Sequence, residues 1–244
     1  MTDAATGSRP TVALVHGAFA DSSGWNDVAG QLQAAGIAVQ AISNPLRGIT
    51  ADTAYVASAI RQIPGPVLAV GHSYGGAIIT NAAPHAGNVV GLVYVAAFAP
   101  DEGERLGEVE SGSKDSILSS AQVALKYPTG QGAETAMEFA INPAHFHDAF
   151  AADLSAEQAA LMAATQRPVA EGAFSEPSGR PAWKTLPAWA VVATGDKAAG
   201  SDVIRAMARR AGATITEVEG SHVIMLSQPQ IVTDVILAAV AAVS

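Results

Sequence analysis

The sequence predicts an α/β fold in which a mostly parallel β-sheet carries helices on both faces. Short apolar, β-branched runs alternate with segments of helical periodicity over residues 11–95 and again over residues 190–243. Each segment between two runs is long enough for a parallel crossover, and continuous apolar runs are typical of strands buried on both faces. The two stretches together therefore predict one doubly wound core.

In residues 11–95, glycine and proline end the predicted helices at the points where alternation with strands requires it. Trp25, Val28 and Leu32 share one helical face, and Gly36 is suited to end that helix. Pro64 ends the second helix because proline cannot continue one. The predicted strands cover 11–15, 37–42, 67–70 and 89–95, and the predicted helices 22–36, 50–63 and 74–85.

The alternation lapses after Pro100 and resumes near the C-terminus. We interpret residues 100–188 as an inserted helical cap and residues 1–99 with 189–244 as the α/β core. Helical patches in the cap are predicted at 118–125, 133–140 and 147–165. The core is completed by strands at 190–194 and 214–219 and helices at 202–211 and 229–243.

The composition is that of a globular, acidic protein. Hydrophobic residues make up 49% of the 244 residues and charged residues 14%, which is far from the signature of disorder. The net charge is −9 and the sequence has no basic stripe. We therefore expect that the protein binds neither nucleic acid nor an anionic membrane. The absence of cysteine excludes disulfides, thiolate zinc sites and a cysteine nucleophile.

Targeting signals are not recognisable in the sequence. Residues 1–10 are small and polar, unlike a secretory signal, and the apolar stretches are interrupted before they reach membrane-spanning length. We therefore expect a cytoplasmic protein, and a homodimer is compatible with the sequence.

The segment Gly71-His72-Ser73-Tyr74-Gly75 fits the pattern G-x-S-x-G. It follows the apolar run 67–70 directly and precedes a helical segment, as a nucleophile elbow requires. Such a turn strains the serine and exposes its hydroxyl, and glycines are needed where the backbones crowd. The placement predicts Ser73 as a nucleophile.

A serine hydroxyl needs a general base, and six histidines are available. His222 is the best candidate because it follows the strand at 214–219 and precedes the last helix. The other histidines are expected to shape loops, bind backbone groups or lie in the cap. They are His16, His72, His85, His145 and His147.

The base in turn needs a carboxylate that fixes its tautomer. Asp196 follows the strand at 190–194 by one glycine and lies between the serine and the histidine in chain order. Asp101 and Glu102, which follow the strand at 89–95, remain alternatives, and Asp202 is expected to cap the next helix.

A tetrahedral intermediate needs two amide donors for its oxyanion. Tyr74, which follows the nucleophile, and Ala18, in the first loop, are predicted to supply them, with Gly17 allowing the backbone to approach closely. Phe19 and Phe146 are predicted to line a substrate pocket. No metal or cofactor is expected.

Three segments resemble the α/β-hydrolase superfamily: residues 15–19, 71–76 and 193–197. In finer detail, residues 94–100, 220–222 and 225–229 resemble the plant methylesterase and hydroxynitrile lyase branch and its bacterial esterase relatives. The resemblance implies an α/β-hydrolase fold with a helical cap over an apolar pocket. It implies Ser73, Asp196 and His222 as the triad and Ala18 and Tyr74 as oxyanion donors.

The lyases of that branch carry threonine after the first-loop histidine and lysine after the catalytic histidine. This sequence has Gly17 and Val223 there, which favours hydrolysis of a carboxylic ester, lactone or thioester through an acyl-Ser73 intermediate. The expected substrate is a small ester with an apolar portion. A cofactor-free lyase, a perhydrolase and a hydrolase-like small-molecule receptor are the alternatives.

Overall fold

A computed structural model describes residues 9–244. The strands of this region fall into two sheets, one in the core and one in the insertion. Along the chain they are β1 (Thr11–Val15), β2 (Val39–Ile42), β3 (Val67–His72), β4 (Val89–Val95), β5 (Gln122–Pro128), β6 (Thr135–Ile141), β7 (Val169–Ala170), β8 (Ala188–Ala193) and β9 (Thr214–Val218).

The core sheet has six strands in the order β2-β1-β3-β4-β8-β9, and every neighbouring pair is parallel. All six residues of β3, near the middle of the sheet, are buried. The parallel arrangement brings the carboxyl ends of the strands to one edge, where open α/β sheets bind their ligands.

Helices cover both faces of this sheet. α2 packs against α3, and α1 packs against α11. Because crossovers between parallel strands are almost always right-handed, the strand order places α1 on the face opposite α2 and α3. The predicted α/β fold with a mostly parallel sheet is confirmed. The helices are α1 (Asn26–Ala34), α2 (Ile49–Arg61), α3 (Tyr74–Ala86), α4 (Leu106–Ser111), α5 (Leu118–Ala121), α6 (Pro143–Phe150), α7 (Ala156–Thr165), α8 (Gly172–Ser175), α9 (Ser201–Arg210), α10 (Ile224–Ser227) and α11 (Pro229–Val243).

The insertion between β4 and β8 contains α4 to α8 and also a three-stranded antiparallel sheet in the order β5-β6-β7. The helical patch predicted at 133–140 is wrong, because this segment forms β6. Its Ala, Met and Glu residues favour a helix, but seven-residue pairing with β5 overrides that local preference. The patch at 118–125 is helical only in α5, and the patch at 147–165 is divided between α6 and α7.

In the part of the chain that the structure describes, no helix is long and apolar enough to cross a bilayer.

Candidate active site

Ser73 occupies a sharp turn between β3 and α3. Its backbone has φ 52° and ψ −124°, a conformation that residues other than glycine rarely adopt. A Cβ atom on Gly71 would lie 2.5 Å from the carbonyl oxygen of Gly75, and one on Gly75 would collide with the carbonyl oxygen of Val15. The glycines of the G-x-S-x-G pattern are therefore required by backbone packing.

His222 and Asp196 form a hydrogen-bonded pair at the ends of β9 and β8. His222 Nδ1 lies 2.8 Å from Asp196 Oδ2, and both side chains are 1% exposed. The amides of Ala198 and Ala199 donate to Asp196 Oδ1 at 2.9 and 3.0 Å. Because the carboxylate is bound on both oxygens, it holds the imidazole in one orientation with the proton on Nδ1.

The loops that carry this pair touch each other through their glycines. The Gly195 amide donates to the Gly220 carbonyl oxygen at 2.9 Å. A Cβ atom on Gly195 would lie 2.8 Å from the same oxygen, so a side chain there would push the loops apart. This contact brings Asp196 within reach of His222.

Ser73 and His222 line one small cavity, which we call the Ser73 cavity. Its volume is about 10 Å³, close to that of a single water-sized probe. Within residues 9–244 no hydrogen bond joins Ser73 Oγ to His222 Nε2, a bond that in enzymes often tightens only when substrate binds. The lining residues are Ala18, Phe19, Ser73, Tyr74, Phe98, Leu118, Phe150, Phe174, Ala198, Ala199 and His222.

Ala18 and Tyr74, the predicted oxyanion donors, both line the Ser73 cavity. In the described region neither backbone amide donates a hydrogen bond to another protein group. Tyr74 opens α3, and the first amides of a helix have no acceptor within the helix. The two amides are thus available to a negatively charged oxygen beside Ser73.

His72 supports the backbone of His222. Its Nε2 atom donates to the His222 carbonyl oxygen at 2.9 Å, and the two rings lie 4.7 Å apart. Complete burial, followed by the charge of neighbouring His222, holds the pKa of His72 well below its ordinary value. His72 is therefore neutral, with its proton on Nε2.

His16 organises the first loop. Its Nδ1 atom donates to the Gly17 carbonyl oxygen at 2.9 Å, and its Nε2 atom accepts from the Asn44 amide at 2.9 Å. Burial lowers the pKa of His16. Both ring nitrogens are occupied by backbone groups, so His16 supports the loop that carries Ala18.

Of the two phenylalanines predicted to line a substrate pocket, Phe19 lines the Ser73 cavity and Phe146 does not line this cavity. Phe146 packs behind Phe150, with ring centroids 5.1 Å apart, and it is Phe150 that faces His222 at 4.9 Å. The two residues are four positions apart on α6 and share a helical face. That spacing could have suggested Phe150 as well, but it does not tell which ring reaches the cavity.

Asp153 is a site neighbour that carries no recognisable sequence motif. It follows α6 in the insertion, and its carboxylate accepts from the amide of Ser221 at 2.8 Å and from the Ser221 hydroxyl. Ser221 directly precedes His222. The insertion therefore holds the loop that presents the imidazole.

Asp52 is a second unpredicted neighbour, buried behind the turn that carries Ser73. It accepts a hydrogen bond from the Tyr74 hydroxyl at 2.8 Å and from the Arg47 amide at 3.0 Å. Burial raises the pKa of its carboxyl, and these hydrogen bonds oppose that rise. The Tyr74 side chain is thus anchored to Asp52 through its hydroxyl.

The alternative carboxylates lie elsewhere. Asp101 forms an ion pair with Lys184 at the surface and accepts from the amide of Glu102. Asp202 lies in the first turn of α9, but it binds the loop at Lys114 rather than capping its own helix through the N-cap position. Among the described residues, Asp196 is the carboxylate bonded to His222.

A metal-binding arrangement is not found in the described chain, where no group of three His, Cys, Asp or Glu side chains is suitably placed. The three acidic side chains described above are bonded to protein donors: Asp196 to backbone amides, Asp52 to Tyr74 and Asp153 to Ser221.

The sequence matches the alpha/beta hydrolase family over residues 12–235. The chain therefore belongs to this family, as its resemblance predicted. No curated protein matches the sequence significantly.

Solved structures with the same fold include plant esterases, the branch that the sequence resembles. Polyneuridine aldehyde esterase superposes with a TM-score of 0.79 at 20% identity, over 95% of this chain and 99% of that one. The methylesterase MES16 from Arabidopsis has a TM-score of 0.77 at 18% identity, over 96% and 99%. The pyrethroid hydrolase PytH has a TM-score of 0.74 at 20% identity, over 96% and 98%.

Proposed function

We propose that the protein is a serine esterase that cleaves carboxylic esters through an acyl-Ser73 intermediate. The observation that carries the proposal is the buried Asp196–His222 pair, whose imidazole lines the same cavity as a strained serine. Membership of the alpha/beta hydrolase family and the esterases among its structural neighbours support hydrolysis of esters in general.

In the proposed mechanism, His222 Nε2 accepts the proton of the Ser73 hydroxyl as Ser73 Oγ attacks the ester carbonyl carbon. The carbonyl oxygen becomes an oxyanion that accepts from the amides of Ala18 and Tyr74. Asp196 stabilises the imidazolium. The carbon–oxygen bond to the alcohol then breaks as His222 returns the proton to that oxygen.

The acyl-Ser73 ester is hydrolysed by the same machinery. His222 removes a proton from water, the hydroxide oxygen attacks the acyl carbon, and the second tetrahedral intermediate releases the carboxylic acid. The proton returns to Ser73 Oγ. The overall reaction consumes one ester and one water and yields one acid and one alcohol, without a cofactor.

The surroundings of Ser73 favour a substrate with an apolar portion. Phe98, Leu118, Phe150 and Phe174 form walls of the Ser73 cavity, and hydrophobic side chains of this kind typically line ligand pockets. Lactones and thioesters react by the same acyl transfer, so they belong to the same proposed substrate class. The cavity walls favour uncharged acyl groups.

Gly17 favours hydrolysis over cyanohydrin cleavage. A Cβ atom at this position would lie 2.6 Å from Ser73 Cβ and 2.9 Å from the His72 carbonyl oxygen. The threonine of the related lyases would therefore require the first loop to shift. Val223, which stands where those lyases carry lysine, is fully buried and supplies no positive charge.

A substrate panel tests the proposal. Short and medium nitrophenyl esters, lactones, thioesters and amides are incubated with the wild type and with Ser73→Ala, and acid and alcohol products are quantified. We expect esters to give acid and alcohol in equal amounts and the variant to be inactive. Equal turnover by Ser73→Ala, or a cleaved product that contains no new acid, would contradict the proposal.

A further inference from the structure

We propose that a pocket next to the Ser73 cavity binds the alcohol portion of the ester and that Phe19 determines which alcohols are accepted. This inference rests on the proposed esterase function and names its substrate class. The pocket, called here the outer pocket, is walled by Phe19, Asp21, Met162, Gln166, Val223 and Met225. Its volume is about 180 Å³.

Phe19 separates two spaces of very different size. It lines both the outer pocket and the Ser73 cavity, whose volume is about 10 Å³. An ester carbonyl at Ser73 has no room for two large substituents within the Ser73 cavity. At least one substituent must extend past a wall residue, and Phe19 is the wall residue that the Ser73 cavity shares with the outer pocket.

The outer pocket lies on the side from which the alcohol leaves. His222 must give its proton to the alcohol oxygen, so that oxygen lies beside the imidazole in the tetrahedral intermediate. Val223 directly follows His222 and lines the outer pocket, as does Met225. A group attached to the alcohol oxygen is therefore directed toward the outer pocket.

The backbone holds Phe19 in place as a partition. Its φ of 59° lies in the left-handed region, which is costly for a bulky residue. Phe19 is 2% exposed, and its ring meets the Phe150 ring edge to face at 6.2 Å. Packing against Phe150, which also contacts His222, fixes the ring between the two spaces.

The lining of the outer pocket defines the alcohol class. Met162, Val223 and Met225 are apolar, and no lysine or arginine lines the pocket. The one charged side chain is Asp21, which would repel an anionic alcohol. A volume of about 180 Å³ exceeds the roughly 150 Å³ cavity that accommodates benzene. The pocket thus fits an uncharged, apolar alcohol of the size of a benzyl group.

Phe174 provides a matched control on another wall. It lines the Ser73 cavity and also a separate space of about 380 Å³, the insertion pocket, which includes Glu110 and Phe139. No residue of the loop after His222 lines the insertion pocket. Replacing Phe174 by Ala therefore also enlarges the Ser73 cavity, but on the side of the insertion pocket and not on the side of the leaving alcohol.

Two isomeric esters test the proposal. Benzyl acetate carries its aromatic ring on the alcohol side, and methyl phenylacetate carries the same ring on the acyl side. The readout is the ratio of kcat/KM for benzyl acetate to kcat/KM for methyl phenylacetate. We expect Phe19→Ala to raise this ratio about tenfold or more, Phe19→Leu to raise it less, and Phe174→Ala not to raise it.

An unchanged or lowered ratio in both Phe19 variants would overturn the inference, as would an equal increase in Phe174→Ala. Thermal unfolding of each variant shows whether it is folded, and Phe19→Leu provides the ratio if Phe19→Ala does not fold. If only the inference about the outer pocket is wrong, the wild type still hydrolyses esters and this turnover still depends on Ser73. Absence of that turnover in the wild type, for these and all other esters, overturns the esterase function and the inference with it.

Discussion

The carboxylate of Asp153 holds Ser221, the residue before His222, through both the backbone amide and the hydroxyl. Asp153 lies in the segment between β4 and β8, whereas Ser221 and His222 follow β9. The Ser221 hydroxyl also lies 3.5 Å from the Phe150 carbonyl oxygen, and the Phe150 ring packs on His222. The insertion thus helps to position the imidazole as well as covering Ser73.

Replacing Asp153 by Ala should lower kcat for ester hydrolysis by about tenfold while changing KM little, because a misplaced base reduces proton transfer more than binding. Asp153→Asn keeps one acceptor oxygen and should recover part of the loss. Steady-state kinetics on one nitrophenyl ester measure both constants. Asp148→Asn is the control, since Asp148 forms only an exposed ion pair with Lys197. A change in KM alone would argue against the positioning role.

Replacing Asp196 by Asn should reduce kcat by about 10⁴-fold, because the amide no longer holds His222 in the required tautomer. The fold should persist, since the side chain keeps an oxygen for the Ala198 and Ala199 amides. Asp101→Asn, which removes a surface ion pair with Lys184, should leave kcat unchanged. A large loss of kcat in Asp101→Asn, with kcat unchanged in Asp196→Asn, would instead identify Asp101 as the acid of the triad.

Acidification should destabilise the protein through His72. Its folded-state pKa lies well below the ordinary value, so below about pH 6.5 the unfolded state takes up a proton that the folded state does not. The contribution of His72 to stability is therefore constant above this pH and falls below it, until the folded pKa is reached. His16, whose pKa is also lowered by burial, acts in the same direction.

His72→Gln removes this titration while keeping a donor for the His222 carbonyl oxygen. The loss of unfolding free energy below about pH 6.5 should then be shallower by up to about 1.4 kcal/mol per pH unit. Urea denaturation on either side of that pH measures the slope. A variant with the wild-type slope would show that His72 does not contribute to it.

Tyr74→Phe separates the side chain of Tyr74 from its amide. Loss of the hydroxyl leaves buried Asp52 without one hydrogen bond, which should reduce the unfolding free energy by about 1–3 kcal/mol. Turnover should stay within a few fold, because the proposed oxyanion donor is the backbone amide. Tyr55→Phe is the control, since Tyr55 is exposed. Unaltered stability with abolished turnover would contradict this division of roles.

The core could be predicted from the sequence because its signals are local. Apolar runs between glycine and proline breaks mark β1, β3, β4 and β8 to within a few residues. Parallel strands bring their carboxyl ends to one edge, so residues that follow different strands, such as Ser73, Asp196 and His222, can be expected to meet. The close approach of Gly71 to Gly75 likewise follows from the short G-x-S-x-G motif that contains both glycines.

The insertion could not be predicted because its structure depends on non-local pairing. Residues 135–141 contain several helix-favouring residues, but cross-strand contacts with β5 and β7 make them a strand. Asp153 is 68 residues from Ser221 and Asp52 is 22 residues from Tyr74, and neither carboxylate lies in a motif. The choice of Phe150 over Phe146 depends on how α6 is rotated against the core, which a shared helical face leaves undetermined.

Covalent labelling of Ser73 tests the central claim most directly. The wild type is treated with a fluorophosphonate probe and then analysed by intact-protein mass spectrometry and peptide mapping, with Ser73→Ala and His222→Ala in parallel. We predict one adduct per chain, located on Ser73, absent from Ser73→Ala and formed far more slowly in His222→Ala. An active enzyme that carries its adduct on another residue, or that keeps both labelling and turnover without Ser73, would contradict the assignment.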